Sequence, residues 1–263
     1  RSSDLLTLRN YRVFISCCIP RKKKSKAQIV ELENQVKIIR ASLGGAYIPT
    51  RVMDGAALVE LMREVINPDP GEMYHKPYKL DPYQDLNYQC VEDSFDMKVT
   101  AGHLKIGRLG HNGKETVTRV TSYHLERDPE IAFLWTSADN YANLLSPELS
   151  ISCPFVITLT LMVEDQVKTQ NEANLKFMDL EKKSKTSYAK YFPSAEKEVK
   201  EWGDIRQRLA TNQTSLVSYF FNITTYTQDN VEASLTTEQQ VLNSFRKGGF
   251  QLIPARYHHL RNF

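Results

Sequence analysis

Residues 155–163 read FVITLTLMV, and this run decides how the rest of the chain is read. Successive side chains of a strand point to opposite faces, so Phe155, Ile157, Leu159, Leu161 and Val163 share one face and Thr158 and Thr160 the other. The next segment changes period. A dense Glu/Lys mixture over 166–190 predicts a long polar helix, broken at Phe192-Pro193-Ser194. Val199, Trp202, Ile205 and Leu209 then recur at helical spacing. Residues 216–226 return to strand, with Val217, Tyr219, Phe221 and Ile223 on one side. Thr237 and Gln240 form a capping pattern for a further helix, Gly248-Gly249 end it, and 250–253 make a last short strand.

Toward the N-terminus the same reasoning gives β-α-β-α. Residues 11–19 are rich in β-branched and aromatic side chains and end at Pro20. Ser25 and Gln28 suit a capping box, Ile29, Leu32, Val36, Ile39 and Leu43 recur at helical spacing, and Gly44-Gly45 are a stop. A short strand is expected over 47–53, then a helix capped by Asp54 with Leu58, Leu61, Met62 and Val65 on its apolar face. Residues 67–86, with four prolines and several tyrosines, read as a long irregular connection. A β-meander is expected near 95–100, 103–109 and 115–124, its last turn marked by Asn112-Gly113, and a mostly helical stretch over 129–145. The fold class is therefore α+β. We expect two βα-rich subdomains, residues 1–146 and 147–263, each with helices packed on a mainly antiparallel sheet.

A chain of 263 residues can build a core without disulfides, and 41% hydrophobic with 25% charged content is ordinary for a globular protein. No apolar run reaches the ~18 residues that a membrane span needs. Cys17, Cys18, Cys90 and Cys153 do not form a CxxC pair, so free thiols in a reducing compartment are expected. Charge is unevenly spread. Residues 1–66 carry 12 basic and 6 acidic side chains, whereas residues 67–149 carry 8 and 13, a polarity that suits oriented docking.

Catalytic signatures are missing. Gly107, Gly110, Gly113 and Lys114 approximate a phosphate loop, but Arg108 and Glu115 break the pattern and the segment reads as a hairpin. Ser187 and Lys190 satisfy SxxK without companion motifs, and no histidine stands in HExxH spacing. No base or orienting partner can be named for Cys90 beside Glu92 and Asp93. We expect no catalytic residues and no metal site. Two surfaces are candidates for binding a partner. One is the basic corner Arg21, Lys22, Lys23, Lys24 and Lys26, which suits an acidic partner, anionic lipid or, as the alternative reading, nucleic acid. The other is the loop carrying Tyr74, Tyr78 and Tyr83, because exposed aromatics suit interfaces.

Six longer stretches together resemble one family: LRNYRVFISC (8–17), QVKIIRASL (35–43), DPYQDLNYQCVEDSFDMKV (81–99), DPEIAFLWTSADNYANLLSPEL (128–149), NLKFMDLEKKSKTSYAKYFPS (174–194) and LNSFRKGGFQLI (242–253). They are similar to the N-terminal part of the TraC family, the F-type members of the conjugative type IV secretion ATPases. The resemblance implies a non-catalytic docking and assembly domain that precedes a motor domain. ATP and Mg²⁺ are expected to bind that motor and no cofactor to bind this chain. It also implies a place at the cytoplasmic side of the bacterial inner membrane, a role in pilus assembly and DNA transfer, and a small inner-membrane, TraL-like protein and other secretion ATPase subunits as partners. A homo-oligomer is expected of the full-length protein, and membrane contact is peripheral at most.

Overall fold

The computed structural model describes residues 12–18, 26–68, 78–109, 115–129, 150–186, 194–211 and 214–257. Among them are six helices, α1 (Lys26–Gly45), α2 (Gly55–Ile66), α3 (Leu86–Cys90), α4 (Gln166–Ser184), α5 (Ala195–Ala210) and α6 (Val231–Lys247). The strands are β1 (Phe95–Val99), β2 (Leu104–Leu109), β3 (Glu115–Arg127), β4 (Phe155–Val163), β5 (Val217–Gln228) and β6 (Gln251–Pro254). The chain divides into two units, residues 1–96 and 97–263.

The α+β class is as expected, but the strands assemble differently. They form one sheet in the order β1-β2-β3-β5-β4, with β6 also paired to β3. Strands from both sides of Pro147 therefore share one hydrogen-bonded ladder, and the division expected near that residue is replaced by one at Asp96–Met97. Pro147 itself and the helix expected over 130–145 lie outside the described residues. The expected strands over 11–19 and 47–53 are not seen: residues 12–18 and 48–54 have irregular backbone. Side-chain β preference describes fit to a pleated, half-buried surface, and among the described residues neither segment meets another strand on which to form one.

In the second unit β3 does most of the organising. It pairs antiparallel with β2 from Leu104↔Val120 to Leu109↔Glu115, and with β5 from Thr118↔Gln228 to His124↔Asn222. From Tyr123↔Pro254 to Arg127↔Gln251 it is also the partner of β6, with a register shift between Leu125 and Arg127. Tyr123, Ile223, Val241, Phe245, Leu252 and Ile151 are buried together, so α6 lies on the face that carries the odd-numbered residues of β3 and β5. The rings of Phe221, Phe245 and Phe250 meet with centroids 5.8–6.2 Å apart, in tilted, stacked and edge-on arrangements. Leu104, Ile106, Val120 and Tyr226 are buried on the other face, where Ser122 Oγ and Thr224 Oγ1 sit 3.1 Å apart across the strands.

Helix α6 begins six residues before the expected cap. The Asn230 side chain accepts from Glu232 N at 2.9 Å, and Thr237 is buried inside the helix. Its end is as expected: Gly249 adopts φ +82, and a Cβ there would lie 3.1 Å from Pro129 Cβ, so both conformation and space call for glycine.

Helices α4 and α5 fall between β4 and β5 in the chain and pack on each other as a hairpin. Asp165 caps α4 by accepting from Lys168 N at 2.9 Å. Thr169, Ala173 and Leu180 form its buried stripe, and Ala195 and Leu209 answer from α5. The helices approach closely at Gly203, where an added Cβ would lie 3.3 Å from the Phe177 ring. Arg206 and Lys176 close the contact by lying over the Phe177 and Trp202 rings at 4.2 and 4.6 Å. Alanine at 203 would gain roughly 1 kcal/mol of helix propensity and crowd the ring slightly. A branched side chain would crowd the ring further. Gly203→Val is expected to cost about 1–3 kcal/mol and to speed proteolytic cleavage between α4 and α5, while β3 and β5 keep their hydrogen-exchange protection; unchanged cleavage would show that the close approach is unimportant.

Candidate functional site

The first unit holds the sequence-derived candidates. Arg21, Lys22, Lys23, Lys24 and Tyr74 lie outside the described residues. Lys26 is the exposed first residue of α1. The stripe Leu32, Val36, Ile39 and Leu43 is half-buried, and no side chain of α1 is fully buried. Tyr78 and Tyr83 differ sharply in environment.

Tyr78 belongs to a polar knot around Gln89, which is only 1% exposed. Gln89 Oε1 accepts from Asp81 N at 2.9 Å and from the Tyr78 hydroxyl at 3.2 Å, and Nε2 donates to Asp81 O and Gln84 O at 2.9 and 2.7 Å. The buried amide thus has all its bonding capacity used, which a group withdrawn from water requires. Arg63 joins α2 to this knot. Its guanidinium donates to Gln89 O at 2.7 Å, pairs with Glu92 and lies 4.8 Å from the centre of the Tyr78 ring. Asn67 Nδ2 adds a bond to Cys90 O at 2.8 Å. Tyr78 is therefore an internal brace.

Tyr83 is 97% exposed and is held outward by that same knot: its N–H donates to Asp81 Oδ1 at 2.9 Å. Tyr88, on α3, is also exposed. Cys90 is a half-buried free thiol, and its neighbour Glu92 is occupied by Arg63.

Sequence reasoning missed Tyr88, and it also missed an exposed aromatic at the end of α1. Helix α1 ends with Ile48 N donating to Leu43 O at 2.9 Å and Tyr47 N to Gly44 O at 3.0 Å, which places Tyr47 at the left-handed position (φ 60) that glycine usually takes. The helix ends at Gly45, as expected from Gly44-Gly45, but the left-handed position beyond it falls to an aromatic residue that is 95% exposed. Glycines two and three positions earlier gave no hint of it. An exposed, conformationally costly tyrosine points to use rather than packing.

The second unit has an ion cluster on the α6-facing side of the sheet. Lys105 Nζ lies 2.6 Å from Asp229 Oδ2, and Arg119 Nε 3.6 Å from Asp229 Oδ1. The hydrogen bond from Lys105 holds the Asp229 carboxyl below its ordinary pKa. Burial, then the charges of Arg119 and Lys105, hold His103 below its ordinary value, and its Nε2 is buried without a hydrogen-bond partner among the described residues. Elsewhere, a hydrogen bond to Asp128 pushes the Tyr219 hydroxyl up to about 12.

This geometry has two measurable consequences. Tyr47→Gly should stabilise the first unit by about 1 kcal/mol, the cost of holding a non-glycine residue in that region, and a lowered urea midpoint would refute the assigned backbone. His103 is a base whose folded pKa is depressed, so below 6.5 the unfolded chain takes up a proton that the folded chain refuses. Stability should therefore fall as pH drops through 6.5 toward the folded value, and His103→Gln should flatten that fall on the acid side of 6.5. Parallel pH profiles for the two proteins would exclude His103 as the cause.

Comparison with known proteins places these features in a family. The family described as "TraC protein" matches residues 2–263. Protein TraC of Escherichia coli (strain K12) is 64% identical over 258 residues, which is 98% of this chain and 29% of that protein. The chain thus spans less than a third of the length of that curated relative. With the family pattern running from its second residue to its last, this chain belongs to the TraC family.

Proposed function

We propose that the chain is a non-catalytic docking and assembly domain of a conjugative type IV secretion ATPase, tying the motor to the inner-membrane complex that builds the pilus and passes DNA. The observation that carries this reading is the family match along residues 2–263 combined with coverage of only 29% of the E. coli relative. ATP and Mg²⁺ are assigned to a motor region of such a protein outside this chain.

The first unit supports the reading with what a docking element requires. Its polar knot is saturated with internal bonds and so presents Tyr83 and Tyr88 on a rigid base, an economy in binding because little side-chain and loop freedom is left to lose. Among the described residues no helix is long and apolar enough to cross a membrane. We therefore assign recruitment to a protein partner, a small TraL-like inner-membrane protein, with Lys26 and the preceding basic residues Arg21, Lys22, Lys23 and Lys24 steering the encounter.

Membrane co-fractionation of the chain with and without that partner tests the proposal. Recruitment is expected only when the partner is present. It should weaken when Tyr83 and Tyr88 are both changed to Ala. It should also be more salt-sensitive than the recruitment of a protein in which Arg21, Lys22, Lys23 and Lys24 are neutralised. A soluble fraction under both conditions would refute the docking role.

A further inference from the structure

Strand β4 forms one edge of the sheet, and among the described residues it pairs with β5 alone. Natural proteins blunt an exposed edge with charge, proline, a bulge or shortness, because its unpaired N–H and C=O groups invite another strand. The β4 edge shows none of these. It is nine residues long, its register with β5 is unbroken from Phe155↔Thr225 to Val163↔Val217, and it contains no charged residue and no proline. Leu159, Leu161 and Met162 are each more than half exposed.

Which main-chain groups face outward follows from the ends of the ladder. Just past one end, Glu164 N donates to Leu216 O at 3.2 Å; just before the other, Pro154 O accepts from Tyr226 N at 3.0 Å. Backbone direction alternates along a strand, so even-numbered residues bond to β5 and the amides and carbonyls of Ile157, Leu159 and Leu161 point away from it.

The side-chain order along this edge is symmetric about Leu159. Thr158 mirrors Thr160, Ile157 mirrors Leu161, and Val156 mirrors Met162. An antiparallel strand of identical sequence, centred on Leu159, therefore meets threonine with threonine and apolar with apolar at every position. The two Leu159 residues form a hydrogen-bonded pair on the axis, and Ile157 exchanges bonds with Leu161 of the other copy on each side. A partner of unrelated sequence would have no reason to reproduce that symmetry, whereas an isologous contact demands it.

We propose that β4 is a self-association edge, on which a second copy of this chain docks antiparallel about Leu159 and continues the sheet across a two-fold axis. This role belongs to the strand alone and stands apart from the docking role proposed for the first unit.

Sedimentation over a concentration series, together with hydrogen exchange, tests it on the whole chain. A monomer–dimer equilibrium is expected, with amides 157, 159 and 161 more protected at high concentration than at low. Leu159→Lys places two ammonium groups directly opposite each other at the axis and should weaken association about tenfold or more. Because Leu159 is exposed in the single copy, that variant should keep its fold, which the unchanged protection of β3 would confirm. Thr160→Ser, which keeps the hydroxyl and lies off the axis, should leave association within about threefold of the original protein. A monomer at all concentrations would overturn the proposal, as would a dimer that Leu159→Lys leaves intact.

Discussion

Strand β3 is the constraint on which the second unit depends. Over thirteen residues it bonds β2 and then β6 along one edge and β5 along the other, so its hairpin neighbour and two strands distant in sequence take their registers from it. Strand β2 leaves this edge at Val120 and β6 joins it from Tyr123, so one strand serves both in turn, and the pairing with β6 shifts register between Leu125 and Arg127. Alternation then fixes the packing: Tyr123 and Leu125 face α6, while Val120 and Ser122 face the other way, and both sets are largely withdrawn from water. A one-residue slip would exchange these faces and put Ser122 among the phenylalanines.

The same arrangement explains the exposed end of the β4–β5 ribbon. Strand β5 loses β3 as a partner beyond Asn222, so residues 217–221 and their partners on β4 continue as a ribbon with no third strand beside them among the described residues. Phe155 and Ile157, opposite the covered part of β5, pack against the core; from Thr158 onward β4 is exposed. Its apolar pattern therefore serves two ends, burial at the start and an available edge further along. The α4–α5 hairpin inserted beyond it is self-contained, with its own buried stripe and close approach at Gly203.

The first unit uses a different economy. Its described contacts are chiefly polar, centred on a buried glutamine whose bonding is fully satisfied and on an arginine that holds a carbonyl, a carboxylate and an aromatic ring at once. Such a network specifies geometry strongly because any missing partner leaves a buried polar group unpaired. It also separates two tyrosines that look alike in sequence. Tyr78 is consumed by the network, and Tyr83, five residues on, is left free of packing.

Local sequence determined the elements whose signal is local. The alternation in 155–163, the Asp54 cap and the stripe Val199, Trp202, Ile205 and Leu209 each report a period or a cap that neighbouring residues complete among themselves. The α+β class followed from them, and the long family-like stretches carried the family. Tertiary structure alone decided the rest. Whether 12–18 or 48–54 forms a strand depends on a partner edge that no local pattern supplies, and the single sheet depends on pairings as distant in sequence as Thr121↔Thr225. The exposed surfaces were equally hidden, for burial is a relation between distant parts of the chain. Leu159 and Leu104 are both apolar strand residues, and only the presence or absence of structure above them leaves one open and the other sealed.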